Sequence, residues 1–375
     1  MTTAERLRSY WAERDIDTDR LVALAVRYWQ PALIVLLMGL AAALRLWGLG
    51  DRAFHHDEGI HVKFAYDITK GVQYNHDPVY HGPVQYYGTA LVLILFGDSD
   101  FTSRLLSVFF GIGLVGLPFL LRKQIGTLGA YIAAGLLAVS PVLLYFSRFV
   151  HADIYVAFFM LGMVVCIWRY LQERKEAWLI AIAPLLALSF ATKEVTAINV
   201  AILIVFLNVT LAADLVQQIR STRTMTPLET AITYAIVIPT AWLIVASWPV
   251  TEGLRKRYGL DEIPATGALM IVFGTLAAPQ FAAGIQNFGI IEDKGYMGEG
   301  DLMRWTVLLL ILGGAYVGVL WNWRVWLIAG ALFYGIFVLL FTSFFTNMPG
   351  FWTGIWGGMD YWLEQQGVRR GDQPD

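Results

Sequence analysis

The sequence has few charged residues, a single cysteine and no surplus of positive charge. Only 15% of its 375 residues are charged and 57% are hydrophobic, whereas soluble domains carry roughly 25% charged residues. The one thiol, Cys166, lies in an apolar run, so a disulfide-based fold is excluded. A formal net charge of −2 argues against a nucleic-acid partner, because phosphate backbones are bound by excess Lys and Arg. The composition indicates a membrane protein.

Long apolar runs are abundant. The first, PALIVLLMGLAAALRLWGLG, begins at Pro31 and has about the 20 residues that cross hydrocarbon. Similar runs recur as far as VWLIAGALFYGIFVLLF. We therefore expect an all-α polytopic membrane protein with a bundle of about nine to ten transmembrane helices. The expected organisation is a cytoplasmic amphipathic tail over 1–30, a membrane domain over 31–345 with an external loop over 51–102, and an external segment over 346–375.

The distribution of Lys and Arg predicts the topology, because basic short loops remain cytoplasmic. The basic loops are RKQIG, RYLQERKEAW and QQIRSTRTMT. With these inside, the stretch from Phe54, the segment YFSRFVHADIY and the segment ATKEV fall outside together with all six histidines. The run PVQYYGTALVLILFG is too short to cross, so we expect a helix along the external surface. We expect TEGLRKRYGLDEIPATG outside as well, and the Gly-rich segment after it to be peripheral or re-entrant.

The stretch HHDEGIHVKFAYDI places an acidic pair, Asp57 and Glu58, directly after the first crossing. One interpretation is that this pair carries chemistry at the membrane surface. The other is that both carboxylates cap the following helix, since negative charge is favoured at a helix N-terminus.

The histidines also suggest a divalent metal ion. Their spacing matches no specific metal template, and histidines of this kind more often bond to carboxylates or lie in hydrated loops. Candidate metal ligands are His56, Glu58, His61 and His151.

Two further external loops bring ionisable residues to the membrane boundary. YFSRFVHADIY carries Arg148 and Asp153, SFATKEVTAI carries Lys193 and Glu194, and Arg104 lies in DFTSRLL. Ionisable residues at membrane depth are costly and generally indicate function. The alternatives are that Arg148 pairs with Asp153 at the interface and that Arg104 extends toward headgroups.

Such a site suits a sugar linked to a lipid phosphate. Lys or Arg can bind the anionic phosphate and stabilise it as a leaving group, while a carboxylate takes the proton of an acceptor hydroxyl. Chemistry on nucleotide sugars would instead call for a cytosolic globular domain.

These segments resemble the integral-membrane GT-C glycosyltransferases, in particular the protein O-mannosyltransferase and aminoarabinose-transferase branch. The likeness rests on HHDEGIHVKFAYDI, on GPVQYYGTALVLILFGDSDFTSRLLSVFFGIGLVGLPFLLRKQIG, on SPVLLYFSRFVHADIYVAFF and on ATKE. It covers about the first 200 residues. More narrowly, the chain is similar to archaeal and bacterial flippase-activity-associated proteins, which LLFTSFFTN and YWLEQQGVRRGDQP also suggest.

The resemblance implies specific roles. The family's catalytic base corresponds to Asp57, with Glu58 as its support. His81 stands where the aminoarabinose branch has a Lys. The family continues beyond a tail like RRGDQP, so we expect this chain to be truncated relative to it. Residues implied in binding the substrate or its lipid phosphate are Arg148, Lys193, Arg104, Asp153 and His81.

We therefore expect an inverting transfer of a sugar from a polyprenyl-phosphate donor to a glycan or protein acceptor, at the extracytoplasmic face of the cell membrane. Membrane lipid is an expected partner and nucleic acid is not. The alternative is a non-catalytic accessory protein or a transporter for flipping lipid-linked glycans. Transporters collect polar residues near the bilayer midplane and often contain repeats, whereas these charges gather at one interface.

Overall fold

The computed structural model describes residues 18–260, 262–287 and 301–365. Within these ranges the chain forms helices and turns and no β-strand, which confirms the all-α prediction. The α-helices are α1 (Thr18–Leu46), α2 (His56–Thr69), α3 (Val84–Phe96), α4 (Asp100–Gly116), α5 (Arg122–Val139), α6 (Pro141–Ser147), α7 (Asp153–Glu173), α8 (Glu176–Phe190), α9 (Val195–Thr222), α10 (Pro227–Ala246), α11 (Glu252–Arg257), α12 (Ala265–Ala277), α13 (Ala282–Asn287), α14 (Asp301–Phe341), α15 (Gly350–Trp352) and α16 (Gly358–Gln365).

In the described parts of the chain, seven helical segments are long and apolar enough to cross a membrane. Two of them, Asp100–Val139 and Leu302–Phe341, have 40 residues each. A straight helix of that length would span about 60 Å, twice the roughly 30 Å of hydrocarbon. Both segments fold back as hairpins, so each supplies two crossings. The apolar helix α8, with 15 residues, is shorter than these segments.

The first hairpin turns where α4 meets α5. Gly126 has a φ of 76° and a ψ of 162°, outside the helical region. The rings of Phe119 and Tyr131 are 5.4 Å apart between centroids, although twelve residues of straight helix would separate them by about 18 Å. The chain therefore reverses direction between these two residues.

The second hairpin turns inside α14 at Asn322, whose φ is −156° and whose ψ is 94°. Its side chain caps the N-terminus of the following helical segment, because Val325 N donates to Asn322 Oδ1 at 3.2 Å. The Trp326 ring packs against Gly318, where an added Cβ would lie 1.9 Å from Trp326 Cδ1. Only glycine at position 318 allows this close return of the chain.

The short helix α3 begins and ends at the same end of the bundle. Val84 N donates to Ala191 O at 3.0 Å, just after α8. At the other end of α3, Gly97 O accepts a bond of 2.7 Å from Thr102 Oγ1, in the first turn of α4. A helix with both ends on one side does not cross the bundle, as its length predicted.

Contacts gather several loops at one end of the bundle, which we call the cluster end. These loops are residues 53–58, 80–82, 148–153 and 191–194. The helices α4, α7 and α9 begin there and end at the opposite end. The basic loops predicted to share one side lie at that opposite end, with Arg122 and Lys123, Arg174 and Lys175, and Arg223.

The second half of the chain differs from the sequence-based expectation. The Gly-rich segment is not peripheral: every residue of α12 except Gly274 is buried. A Cβ at Gly274 would lie 2.7 Å from the Trp242 ring, so small residues let α10 and α12 approach closely. The stretch expected outside instead contacts the far end of α9. Gly259 packs on Thr222, and Gln218 Nε2 donates to Glu262 O at 3.2 Å.

The expected surface tail over 1–30 falls mostly outside the described residues, which begin at Thr18. The described end of the chain, up to Gln365, packs on the loop between α2 and α3. Gln73 Nε2 donates to Thr346 O at 2.9 Å, and Ser343 Oγ donates to Tyr74 O. Residues 343–365 therefore lie at the cluster end.

Candidate functional site

The site begins at the N-terminus of α2. The Asp57 N–H donates to His55 Nδ1 at 3.3 Å, and the His55 N–H donates to Glu58 Oε2 at 3.1 Å. These reciprocal bonds satisfy N–H groups that the first helical turn leaves without partners. The capping interpretation of the acidic pair therefore applies to Glu58.

Glu58 and Arg104 form a buried ion pair, with side-chain exposures of 0% and 1%. Arg104 donates from Nε to Glu58 Oε1 at 2.8 Å and from Nη2 to Oε2 at 2.9 Å. Its Nη1 donates to Leu49 O and Arg52 O at 2.8 and 2.9 Å. Glu58 Oε1 also accepts from Val150 N at 3.1 Å. The pair thus joins α2, α4, the end of α1 and the loop before α7.

Burial opposes ionisation of Glu58, but the hydrogen bonds from Arg104, His55 and Val150 outweigh it and lower the pKa of this carboxyl. Both of its oxygens and most guanidinium donors of Arg104 are occupied by protein groups. The geometry therefore gives these two residues a structural task, and the catalytic or metal role expected of Glu58 and the phosphate contact expected of Arg104 stay predictions.

Three histidines face one another, one from helix α2, one from the loop before α3 and one from the loop before α7. The ring centroids of His61 and His151 are 5.7 Å apart, those of His81 and His151 are 6.1 Å apart, and those of His61 and His81 are 6.4 Å apart. Each ring has a neighbour at Nδ1. The partner atoms are Tyr86 Oη at 3.0 Å for His61, Glu194 Oε1 at 2.8 Å for His81 and Asp153 Oδ2 at 2.6 Å for His151.

The tautomer of His61 follows from its hydrogen bonds. Tyr86 Oη donates its proton to Tyr80 O, so it must accept from His61 Nδ1–H. Burial lowers the pKa of His61 to about 4, and repulsion from His151 and His81 contributes, while Asp57 acts in the opposite direction. At neutral pH, His61 therefore has an unprotonated Nε2.

Lys193 and Asp153 provide opposite charges beside the histidines. Lys193 Nζ donates to Asp153 Oδ1 at 2.8 Å, so Asp153 links Lys193 to His151. The Lys193 charge also acts on His61. The sequence-predicted residues Lys193, Asp153, His151, His81 and His61 are therefore brought together, and Asp153 pairs with Lys193 and not with Arg148.

Asp57 differs from its neighbour Glu58. Its side chain is 54% exposed, and its Oδ2 lies 3.5 Å from His55 Nδ1. The structure gives its carboxylate oxygens no hydrogen bond, and its charge acts on His61. Asp57 therefore presents an accessible carboxylate at the edge of the histidine group.

Arg148 and His56 lie apart from this arrangement. Arg148 donates to the terminal carbonyls of α1 and the turn after it, with bonds of 3.1 Å to Leu44 O, 2.7 Å to Trp47 O and 3.2 Å to Gly48 O. The His56 side chain is exposed. Among the described residues, no group of three His, Cys, Asp or Glu side chains is arranged to hold a metal ion.

His81 has a φ of 69° and a ψ of −167°, a backbone conformation that costs a non-glycine residue about 1–3 kcal/mol. The next residue, Gly82, packs on backbone: its N–H donates to Thr192 O at 3.0 Å, and an added Cβ would lie 2.1 Å from Ala191 O. This close approach of two backbones holds the His81 ring beside Glu194.

Sequence reasoning missed Tyr86 and the contacts made by Thr353 and Gly358, which we call the C-terminal wall of the site. His76 Nδ1 is 2.8 Å from Thr353 Oγ1, and Gly358 packs so closely that a Cβ there would lie 2.9 Å from Glu194 Cγ. A cavity of about 30 Å³ between His76, His81, Glu194 and this wall has room for one or two water molecules. The separation of these residues along the chain leaves no local sequence signal for the contacts.

Residues 80–245 match the family model of dolichyl-phosphate-mannose-protein mannosyltransferase, a stretch that covers less than half of the chain. The match begins at Tyr80 and includes His81, Arg104, Asp153 and Lys193. No curated protein and no solved structure matches the chain. The chain is thus an all-α polytopic membrane protein, and the family match supports a place in the GT-C class of membrane glycosyltransferases.

Proposed function

We propose that this protein is a glycosyltransferase that moves a sugar from a polyprenyl phosphate to an acceptor hydroxyl. The observation that carries the proposal is the meeting of Asp57, three histidines and the Lys193–Asp153 pair at one end of the bundle. The family match adds support, because its name describes transfer of mannose from dolichyl phosphate to protein.

In this proposal, Lys193 and His81 bind the donor phosphate. Lys193 supplies a point charge with three donors, and its side chain is 19% exposed. His81 directs Nδ1 to Glu194, which leaves Nε2 for a ligand. The positive charge stabilises the polyprenyl phosphate as it leaves. Asp153 holds Lys193 in place.

Asp57 acts as the general base. The acceptor oxygen bonds to C1 of the sugar, the bond from C1 to the phosphate oxygen breaks, and Asp57 takes the hydroxyl proton. Attack opposite the leaving group inverts C1. The exposed carboxylate of Asp57 suits this task, whereas Glu58 supports the base by fixing the helix start.

The basic loops at the far end favour an orientation with that end in the cytoplasm. The site would then lie at the extracytoplasmic face of the cell membrane. The family name suggests a protein hydroxyl as acceptor, and a glycan hydroxyl would react by the same chemistry.

The test uses the full chain in lipid nanodiscs with dolichyl-phosphate mannose and a pool of serine- and threonine-containing peptides. Release of dolichyl phosphate and mannosylation of peptide are measured together. Asp57→Asn should lower both at least about 1,000-fold. Asp67→Asn, at the other end of α2, is the matched control and should keep activity within about twofold.

Unchanged turnover by Asp57→Asn would refute the role of Asp57. Absence of turnover in the wild-type protein with mannose, glucose and aminoarabinose donors, combined with movement of a fluorescent lipid-linked glycan between leaflets, would favour the accessory or transport alternative.

A further inference from the structure

A second cavity lies at the cluster end, next to the end of α1. It has a volume of about 280 Å³, close to the lower limit of roughly 300 Å³ for small-molecule sites. Three of its lining residues are arginines and none is acidic. The lining residues are Gly48, Leu49, Arg52, Arg104, Pro141, Leu144, Tyr145 and Arg148.

The arginines of this cavity carry more charge than their neighbours neutralise. Arg104 is fully paired with Glu58. The guanidinium of Arg148 bonds to uncharged carbonyl oxygens and forms no ion pair with the Asp51 carboxylate, which lies beside Gly48. The Arg52 side chain is 59% exposed. Its one ion-pair contact is between Nη2 and Glu58 Oε2, at 3.9 Å. Arg52 therefore has donors available for an anion.

A buried ring separates this cavity from the histidine group. Phe149, which is 4% exposed, stacks on Tyr145 of the cavity at 5.3 Å between centroids. On its other side its ring lies 5.9 Å from His151 and 5.7 Å from His55. The two sites are neighbours with separate linings.

Aromatic residues place the mouth of the cavity near lipid. Trp47 is 83% exposed and Tyr145 is 47% exposed, and Trp and Tyr at the ends of membrane helices lie at headgroup level. Arg52 also lies over the Tyr145 ring, 5.9 Å from its centroid. A basic cavity at this depth fits the phosphate of a lipid whose chains remain in the membrane.

We propose that the cavity formed by Arg52, Tyr145 and Arg148 binds the phosphate group of a membrane lipid, at a site separate from the one proposed for the sugar donor. This binding does not depend on sugar transfer by the histidine group. The lipid is defined by its chemistry, an anionic phosphate attached to a hydrophobic chain.

The experiment measures lipid binding to the full chain in detergent by native mass spectrometry. The probes are a polyprenyl monophosphate, phosphatidylglycerol, an uncharged polyprenol and inorganic phosphate. All variants carry Lys193→Gln, which weakens the donor site proposed above and leaves the second cavity intact. Arg52→Gln should weaken binding of at least one anionic lipid roughly tenfold, the effect of losing a charged hydrogen bond.

Arg52→Lys should retain most of the affinity, and Arg122→Gln, an exposed arginine at the opposite end, should retain all of it. Size-exclusion profiles and unfolding temperatures of the variants show whether they are folded. Anionic lipid binding that is equal in Arg52→Gln and its parent would overturn the proposal, as would equal binding of the uncharged polyprenol. Inorganic phosphate that binds as tightly as the lipids would overturn the assignment to a lipid. Sugar turnover is a separate readout, so failure of the proposed transfer reaction would not be confused with failure of this site.

Discussion

His81 Nδ1 lies 2.8 Å from Oε1 and 3.0 Å from Oε2 of Glu194, which is 113 residues further along the chain. Because an ionised carboxylate only accepts hydrogen bonds, the ring must donate from Nδ1. The same carboxylate packs against Gly358. One acidic residue therefore connects the loop before α3, the turn before α9 and the C-terminal wall.

Glu194→Gln should raise the KM for the donor roughly tenfold and change kcat less, because His81 would lose its charged partner while the fold is kept. Initial rates with dolichyl-phosphate mannose measure this effect. Glu194→Asp should recover part of the loss, and Glu252→Gln, an exposed ion-pair residue, should change neither constant. Equal KM values for Glu194→Gln and the wild type would contradict the positioning role.

Arg104→Met should destabilise the protein by about 3–5 kcal/mol, because the buried Glu58 carboxylate would lose its counter-charge. Thermal unfolding in detergent measures the change. The double variant with Glu58→Gln should recover part of the stability, since no unpaired charge would remain. If the single variant unfolds like the wild type, the pair does not hold the loops together.

Acid should destabilise the fold through two buried histidines. Burial lowers the pKa of His61 to about 4 and the pKa of His76 to about 3, from an ordinary value of 6.5. Below pH 6.5 the unfolded chain binds protons that the folded chain does not, so stability falls as the pH drops toward 4. For His61 the loss would reach about 3 kcal/mol.

Unfolding temperatures between pH 8 and pH 4 test this dependence. His61→Gln should make the curve shallower over that range without flattening it, because His76 still loses stability there and Glu58, whose pKa is also lowered, adds a further loss at the acidic end. A curve for His61→Gln that runs parallel to the wild type would show that His61 takes up its proton equally in both states.

Gly82→Ala should lower both stability and turnover, because its Cβ would lie 2.1 Å from Ala191 O and the backbone beside His81 would have to shift. We expect a loss of about 2 kcal/mol or more. Gly59→Ala is the control: nothing lies within 4 Å of a Cβ there, and alanine in helix α2 should add about 0.5–1 kcal/mol. Equal unfolding temperatures for the two variants would contradict the close backbone approach.

Labelling of engineered thiols tests the orientation. In a Cys166→Ala background, His56→Cys should react with an impermeant maleimide added outside intact cells. Lys123→Cys and Lys175→Cys should react only after permeabilisation, because the basic loops that contain them are expected to be cytoplasmic. The proposed external face requires this difference, and labelling of all three from outside would exclude it.

The composition and the length of the apolar runs were enough to predict the helical class and the short helix α3. The convergence of Asp57, His61, His81, Asp153 and Lys193 also agrees with the topology deduced from the basic loops. These features follow from hydrophobic length and charge, which are local properties of the sequence.

Contacts between distant segments could not be predicted in this way. Arg148 and Arg104 carry the same charge as Lys193, yet carbonyl groups and Glu58 occupy their donors. The sequence does not show which cation remains available, because that depends on packing. The burial of α12 was also missed, since its glycines suggested a weak helix when they in fact permit close packing against α10.

The hydrogen bond between His76 and Thr353 and the packing of Gly358 on Glu194 have a practical consequence for shortened forms of the protein. A version that stops after Phe341 would keep every described helix that is long enough to cross the bilayer. It would, however, expose to water the side of Glu194 that packs on Gly358. Such a fragment would insert normally and resemble the intact protein in helical content, but its ligand affinity would be impaired, so correct insertion is a poor criterion for a competent preparation.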